Sequence, residues 1–202
     1  PATASTYHVY SANLDGIYKN NVLKQAITNV IEISPIKGQA DAMFVTKLSV
    51  DAIDGKRVMD HRYSPNIETT AFVDDTVNYR WTRSEISAMT LANGKIARAQ
   101  VAGFYTNPRS TNLAESLTIS IAPSYTNVEP ESPPYIVRGF IGQAGSNAIV
   151  NPHLTQLADG YYYLFYTESR YDHDKTYAVS INQTVFWQRS VDLIHWSEPV
   201  AI

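Results

Sequence analysis

Apolar and polar residues along this chain alternate with the two-residue period of β-strands far more often than with the period of a helix. Residues 43–51, MFVTKLSVD, set Phe44, Leu48 and Val50 on one face and Lys47, Ser49 and Asp51 on the other. Asp54-Gly55 then supplies a turn that tolerates positive φ, and Lys56 to Met59 resumes as a return strand. The cleanest alternation is Glu115 to Ile121. Leu117, Ile119 and Ile121 point one way and Ser116, Thr118 and Ser120 the other, which predicts a strand with one buried face. Two stretches fit more than one element. Asn21 to Ile33 places Val22, Leu23, Ala26, Ile27, Val30 and Ile31 at helical spacing and ends before Pro35, whereas its β-branched content favours a strand over Val30 to Ile33. Ser84 to Leu91 fits a short helix with Ser84 as N-cap and Asn93-Gly94 as its stop.

The stretch Ala122 to Tyr135 (APSYTNVEPESPPY) breaks the alternation. Its four prolines, with Glu129 and Glu131, favour an extended connector over a sheet. The expected organisation is therefore an all-β chain in three parts. Residues 1–121 form a β-sandwich or jelly-roll-like assembly module, 122–135 a linker, and 136–202 a separate strand-rich segment. In that last part Asp159-Gly160 reads as a turn, and Tyr161 to Thr167 is apolar or aromatic on both faces, as a strand buried on both sides would be. Further strands are expected at Tyr177 to Ser180 and within Thr184 to Arg189.

Composition narrows the functional classes. A net charge of −3 over 202 residues gives no basic footprint, so nucleic acid is not the expected partner. No apolar run is long enough to span a bilayer, and the first residues lack the pattern of a signal peptide. The absence of cysteine removes disulfides, thiolate chemistry and zinc–cysteine sites. Fourteen Tyr against six Phe suit half-wet sheet surfaces.

Asn151-Pro152, then Asp159-Gly160-Tyr161-Tyr162-Tyr163-Leu164, then Ser190-Val191-Asp192-Leu193-Ile194-His195-Trp196 carry a resemblance. Together they resemble blades of the five-bladed β-propeller glycosidases, the arabinanase/xylosidase and invertase-like families, with sialidase-type propellers related in style. The resemblance covers about a quarter of the chain, at its C-terminal end. It implies the start of a β-propeller, with Asp159, Gly160, Ser190, Asp192 and Trp196 as architectural residues. Asn151 departs from the pattern, because those glycosidases commonly carry there an Asp that acts as a catalytic carboxylate. An amide cannot serve as general base or nucleophile.

Glycoside hydrolysis needs two carboxyl groups. Glu168, just beyond the aromatic strand, is the candidate acid left once Asp159 and Asp192 are assigned to turns. Asn151, His153, Tyr171 and Trp187 are the candidate carbohydrate contacts. Tyr171-Asp172-His173-Asp174 reads as an exposed polar loop in preference to a metal site, and no metal or organic cofactor is expected. His8, His61, His153 and His195 show no metal spacing and read as surface or capping residues, while Asp74-Asp75 and Glu115 show no partner. Arg80, Trp81 and Arg83 suggest a surface patch. The order of parts suggests a modular, homo-oligomeric glycan-binding protein of the virion-fibre or adhesin type, acting at a virion or cell surface beside other subunits. Its competitors are an active glycoside hydrolase and a purely structural assembly subunit.

Overall fold

A computed structural model describes residues 8–50, 57–74, 86–105, 113–139, 147–172 and 179–202, and among these it shows fifteen strands and no helix. β1 (Tyr10–Asn13), β2 (Gly16–Lys19) and β3 (Val22–Gln25) form a three-stranded sheet. β4 (Val30–Lys37), β5 (Met43–Val50), β6 (Arg57–Ser64) and β7 (Val73–Asp74) follow as an antiparallel meander. A second meander comprises β8 (Ile86–Thr90), β9 (Ile96–Tyr105), β10 (Leu113–Ala122) and β11 (Tyr135–Gly139). A short parallel pairing, Ile36 with Ala88 and Lys37 with Met89, joins the meanders into one eight-stranded sheet. The last sheet is β12 (Asn147–Gln156), β13 (Tyr162–Asp172), β14 (Val179–Ser190) and β15 (Val200–Ala201).

Three apolar clusters tie these units together in sequence order. Ile17 of β2 meets Met43 and Val45 of β5, with Ile67. The opposite face of the first meander, Phe44 and Tyr63, meets Ile86, Ala88, Ile96 and Ala122 of the second. The far face of the second meander, Ala97, Ala99, Val101, Leu117 and Ile119, meets Ile149, Leu154, Leu164, Tyr166 and Leu193 of the last sheet. Each inner unit is thus covered on both faces, which is how successive blades pack.

That arrangement explains where the alternation misleads. β10 was expected to have one wet face, yet Ser116 and Ser120 are buried along with Leu117 and Ile119, because another sheet lies over each side. The polar side of β9 is buried for the same reason, and Arg98 lays its guanidinium 4.7 Å from the centre of the Phe44 ring. His61, expected at the surface, is fully buried, with its Nδ1 3.2 Å from Thr46 Oγ1. Asp74 has a partner after all in Arg62, at 2.5 Å.

The alternative of a helix over residues 84–91 gives way to strand β8, although Ser84 lies outside the described residues. Asn93-Gly94 forms the hairpin turn into β9: Gly94 has φ 81°, its N–H donates to Leu91 O, and Asn93 Oδ1 accepts from Lys95 N. A helix stop and a hairpin turn both need a residue at positive φ, so one dipeptide signals either. Asn21 to Ile33 resolves into β3 and the start of β4, with Asn29 at φ 60° between them. Pro35 falls inside β4, at a place where only β5 is its neighbour because pairing to β8 begins at Ile36.

The proline-rich stretch runs from β10 to β11 through a Ser124–Asn127 bridge, and Glu131 N donates to Ile121 O. β10 and β11 pair directly, so residues 135–139 belong to the eight-stranded sheet. The described strands of the segment that carries the resemblance, from Asn151 onward, all lie in the last sheet.

Candidate functional site

The Ser190-to-Trp196 segment builds a closed turn after β14. Ser190 Oγ accepts from the N–H groups of Asp192 and Leu193 and donates to Asp192 Oδ1. Asp192 Oδ1 also accepts from Ile194 N and His195 N, at 2.9 and 2.8 Å, and Oδ2 lies 2.7 Å from His195 Nδ1. Those donors hold the Asp192 carboxyl far below the usual carboxylate range, the His195 side chain contributing most. Leu193 sits at φ 66° with its side chain buried, and Trp196 Nε1 closes the turn onto Leu193 O. The hydroxyl of Ser190 is itself buried, so Ser190→Ala strands the Leu193 N–H and should cost about 1–3 kcal/mol in denaturant unfolding. A loss below about 0.5 kcal/mol would mean that the hydroxyl is dispensable to the turn.

Asp159-Gly160 makes the β12–β13 hairpin. Gly160 has φ 83° and its N–H donates to Leu157 O, while Asp159 accepts from Tyr161 N and from the Tyr163 hydroxyl.

Asn151 lies in β12 where the ladder slips. Val150 faces Thr167 and His153 faces Phe165, so Asn151 and Pro152 together oppose Tyr166 alone. That is a β-bulge, and Asn151 takes it up at φ 54°, a conformation Asn tolerates better than most residues. Beyond the bulge, His153, Phe165 and Trp187 stand side by side across three strands on one face of the sheet. At about 4.8 Å per strand, His153 and Trp187 are about 10 Å apart. The next row adds Thr155, Tyr163 and Arg189. Tyr163 stacks with Phe165 at 6.2 Å and meets Trp187 at 5.7 Å, and Arg189 covers the ring of Tyr161 at 4.8 Å. The result is a half-exposed aromatic band with a histidine at its inner end.

One residue that no sequence signal pointed to holds that histidine. Lys37, the last residue of β4, donates from Nζ to Leu154 O at 2.6 Å and lies 2.9 Å from His153 Nε2. Lysine can only donate, so Nε2 accepts and the proton sits on Nδ1. Ser87 Oγ of β8 accepts from Leu154 N, so three strands from three successive units meet here. Burial lowers the pKa of Lys37, and burial, with Lys37 adding to it, lowers that of His153. Because the folded state takes up the His153 proton less readily than the unfolded chain, this group's contribution to stability falls as pH drops below about 6.5. The melting temperature should therefore fall less between pH 7 and pH 5 in His153→Gln than in the parent. Parallel falls in both proteins would show that the pair does not matter.

Glu168 is placed elsewhere. It alternates with Phe165 and Thr167 and so lies on the opposite face of β13, the side of Tyr166. Its Oε1 accepts from Arg138 Nε of β11 at 2.7 Å. The sheet thus separates the candidate acid from His153 and Trp187. Tyr171 pairs with Ser180 near the end of β13, but its side chain lies outside the described ones, as do His173, Asp174, Arg80, Trp81 and Arg83.

Neither a family profile nor a curated protein matches the sequence. Solved structures do. A thermostable family-43 glycoside hydrolase superposes with a TM-score of 0.62 over 100% of this chain and 70% of its own, at 13% identity. An endo-arabinase from Bacteroides thetaiotaomicron gives 0.58 over 97% and 76%, at 14% identity. An α-L-arabinofuranosidase from Fusarium graminearum, solved with an iminosugar inhibitor, gives 0.50 over 96% and 52%, at 15% identity. The chain therefore shares the fold of these β-propeller glycoside hydrolases, and the likeness runs through its first 121 residues as well as the C-terminal segment.

Proposed function

We propose that this chain is a glycan-binding β-propeller protein that contacts sugar along the His153–Phe165–Trp187 row. The observation that carries the reading is the shared face. Three side chains from three strands form a polar-to-aromatic track, and Lys37 fixes the tautomer of the histidine at its inner end. Imidazole meets sugar hydroxyls by hydrogen bonding, and aromatic faces meet the C–H faces of pyranose and furanose rings. The structural neighbours are named for arabinan cleavage, which makes arabino-oligosaccharides the first ligands to try.

Binding is favoured over hydrolysis by the position of the acids. Glu168 is on the far side of the sheet in an ion pair, and an amide stands at Asn151. A hydrolase needs two carboxyls on either side of one glycosidic bond, about 5–10 Å apart. Calorimetric titration with arabino-oligosaccharides should show saturable binding, while incubation with 4-nitrophenyl α-L-arabinofuranoside should release no nitrophenol. Enzyme-dependent release, abolished in Glu168→Gln, would replace this reading with that of a glycosidase.

A further inference from the structure

Among the described residues, Lys37 is a cation without a counter-ion. Its two bonds run to neutral acceptors, Leu154 O at 2.6 Å and His153 Nε2 at 2.9 Å, and no carboxylate of the described residues pairs with it. Burial therefore lowers its pKa with no acid acting against the shift. Lys19 shows the opposite case: Asp41 at 2.7 Å and Glu68 at 3.1 Å raise it. We infer that Lys37 makes the inner end of the His153–Phe165–Trp187 row a carboxylate subsite, so that the ring held there is an acidic sugar, a uronate. This rests on the reading of that row as a glycan track.

An ammonium has three N–H donors, and two are spent on β12, so one donor and the whole charge remain for a ligand. Lys37 is exposed enough to be reached. His153, whose Nε2 accepts from Lys37, keeps its Nδ1–H on the other side of the ring to meet a hydroxyl. At the far corner of the aromatic patch Arg189 lies over Tyr161 at 4.8 Å. Two strands and two residues separate it from His153, about 12 Å. Of the nearby acids, Asp159 is engaged in the hairpin by Tyr161 N and the Tyr163 hydroxyl, and Glu168 faces the other way. Lys37 and Arg189 against Asp159 leave a local charge of +1 among the described residues, in a chain whose net charge is −3.

That charge selects the ligand class. A partly desolvated cation gains more from an anion than from a hydroxyl, because charge-assisted hydrogen bonds are roughly twice as strong as neutral ones. One ammonium is a single point charge and matches one carboxylate. Phe165 and Trp187 beside it supply the surface for the C–H face of a ring. A uronate uses both features, whereas a bare inorganic anion uses only the first.

Trigalacturonate and its methyl ester present the same rings with and without charge. In calorimetric titration of the full chain, the acid should bind about tenfold tighter than the ester. Raising the salt to about 0.5 M should weaken the acid and leave the ester unchanged. Lys37→Met keeps the stem, removes the charge and should bring acid and ester within about twofold, while Lys37→Arg should keep the preference. Equal binding of acid and ester by the parent, a preference untouched by salt, or one that survives Lys37→Met overturns the inference and leaves the track standing. Inorganic sulfate binding as tightly as trigalacturonate also overturns it, because the sugar is then not being read. If acid, ester and arabinotriose all fail to bind, the track itself is wrong and the subsite falls with it.

Discussion

Leu164→Ala should destabilise the protein by about 2–5 kcal/mol, a large share of the 5–15 kcal/mol that holds a typical domain. Leu164 is fully buried, pairs with Leu154 across β12–β13, and packs in the cluster that joins the last sheet to Ala99, Val101, Leu117 and Ile119. Its truncation opens a cavity between two sheets. Neither side can close around it easily, since β9 and β10 are held from behind by the cluster that contains Phe44 and Ile96. The urea midpoint should fall with little change of slope. Leu157→Ala, at a half-exposed position in the hairpin, is the control and should stay within about 0.5 kcal/mol. Equal effects from the two would mean that the last sheet does not depend on this packing.

The second large effect is on binding. Trp187→Ala should weaken arabino-oligosaccharide affinity about tenfold to a hundredfold, about 1–3 kcal/mol. The indole is the largest plane on the track, stands in register with Phe165, and is steadied by Tyr163 at 5.7 Å. Trp187→Phe keeps an aromatic face and should recover part of the loss. Val185→Ala, a change two residues earlier on the same face, should leave affinity near that of the parent. If Trp187→Ala binds as the parent does, the track has been placed on the wrong face.

Some of this was legible in the sequence. Alternation at 43–51 and 115–121 marks the all-β class, and the Asp159-Gly160 and Ser190-to-Trp196 segments point to the propeller fold from the sequence alone. A single period-2 pattern reports only which side is more apolar. It could not tell that Ser116, Ser120 and Arg98 are buried between stacked sheets. Asn93-Gly94 was ambiguous because helix ends and hairpins need the same backbone conformation.

The candidate site was legible by residue type and not by side. Asn151, His153, Tyr171 and Trp187 stand out in the sequence by their chemistry alone. Only the strand register shows that His153 and Trp187 share a face and that Glu168 does not. Lys37 is 116 residues from His153, and nothing local marks it. Arg138 was equally silent, because its role comes from a side chain of β11 that reaches Glu168 of another sheet.

Sugar binding along the His153–Phe165–Trp187 row is tested by a residue-resolved titration of the full chain with α-1,5-linked arabinotriose, followed by proton–nitrogen spectra. His153, Phe165 and Trp187 should shift first and along one saturation curve, with Glu168 unmoved at the same ligand concentration. Sugar bound by calorimetry while those three signals stay fixed, or no binding at all, would contradict it.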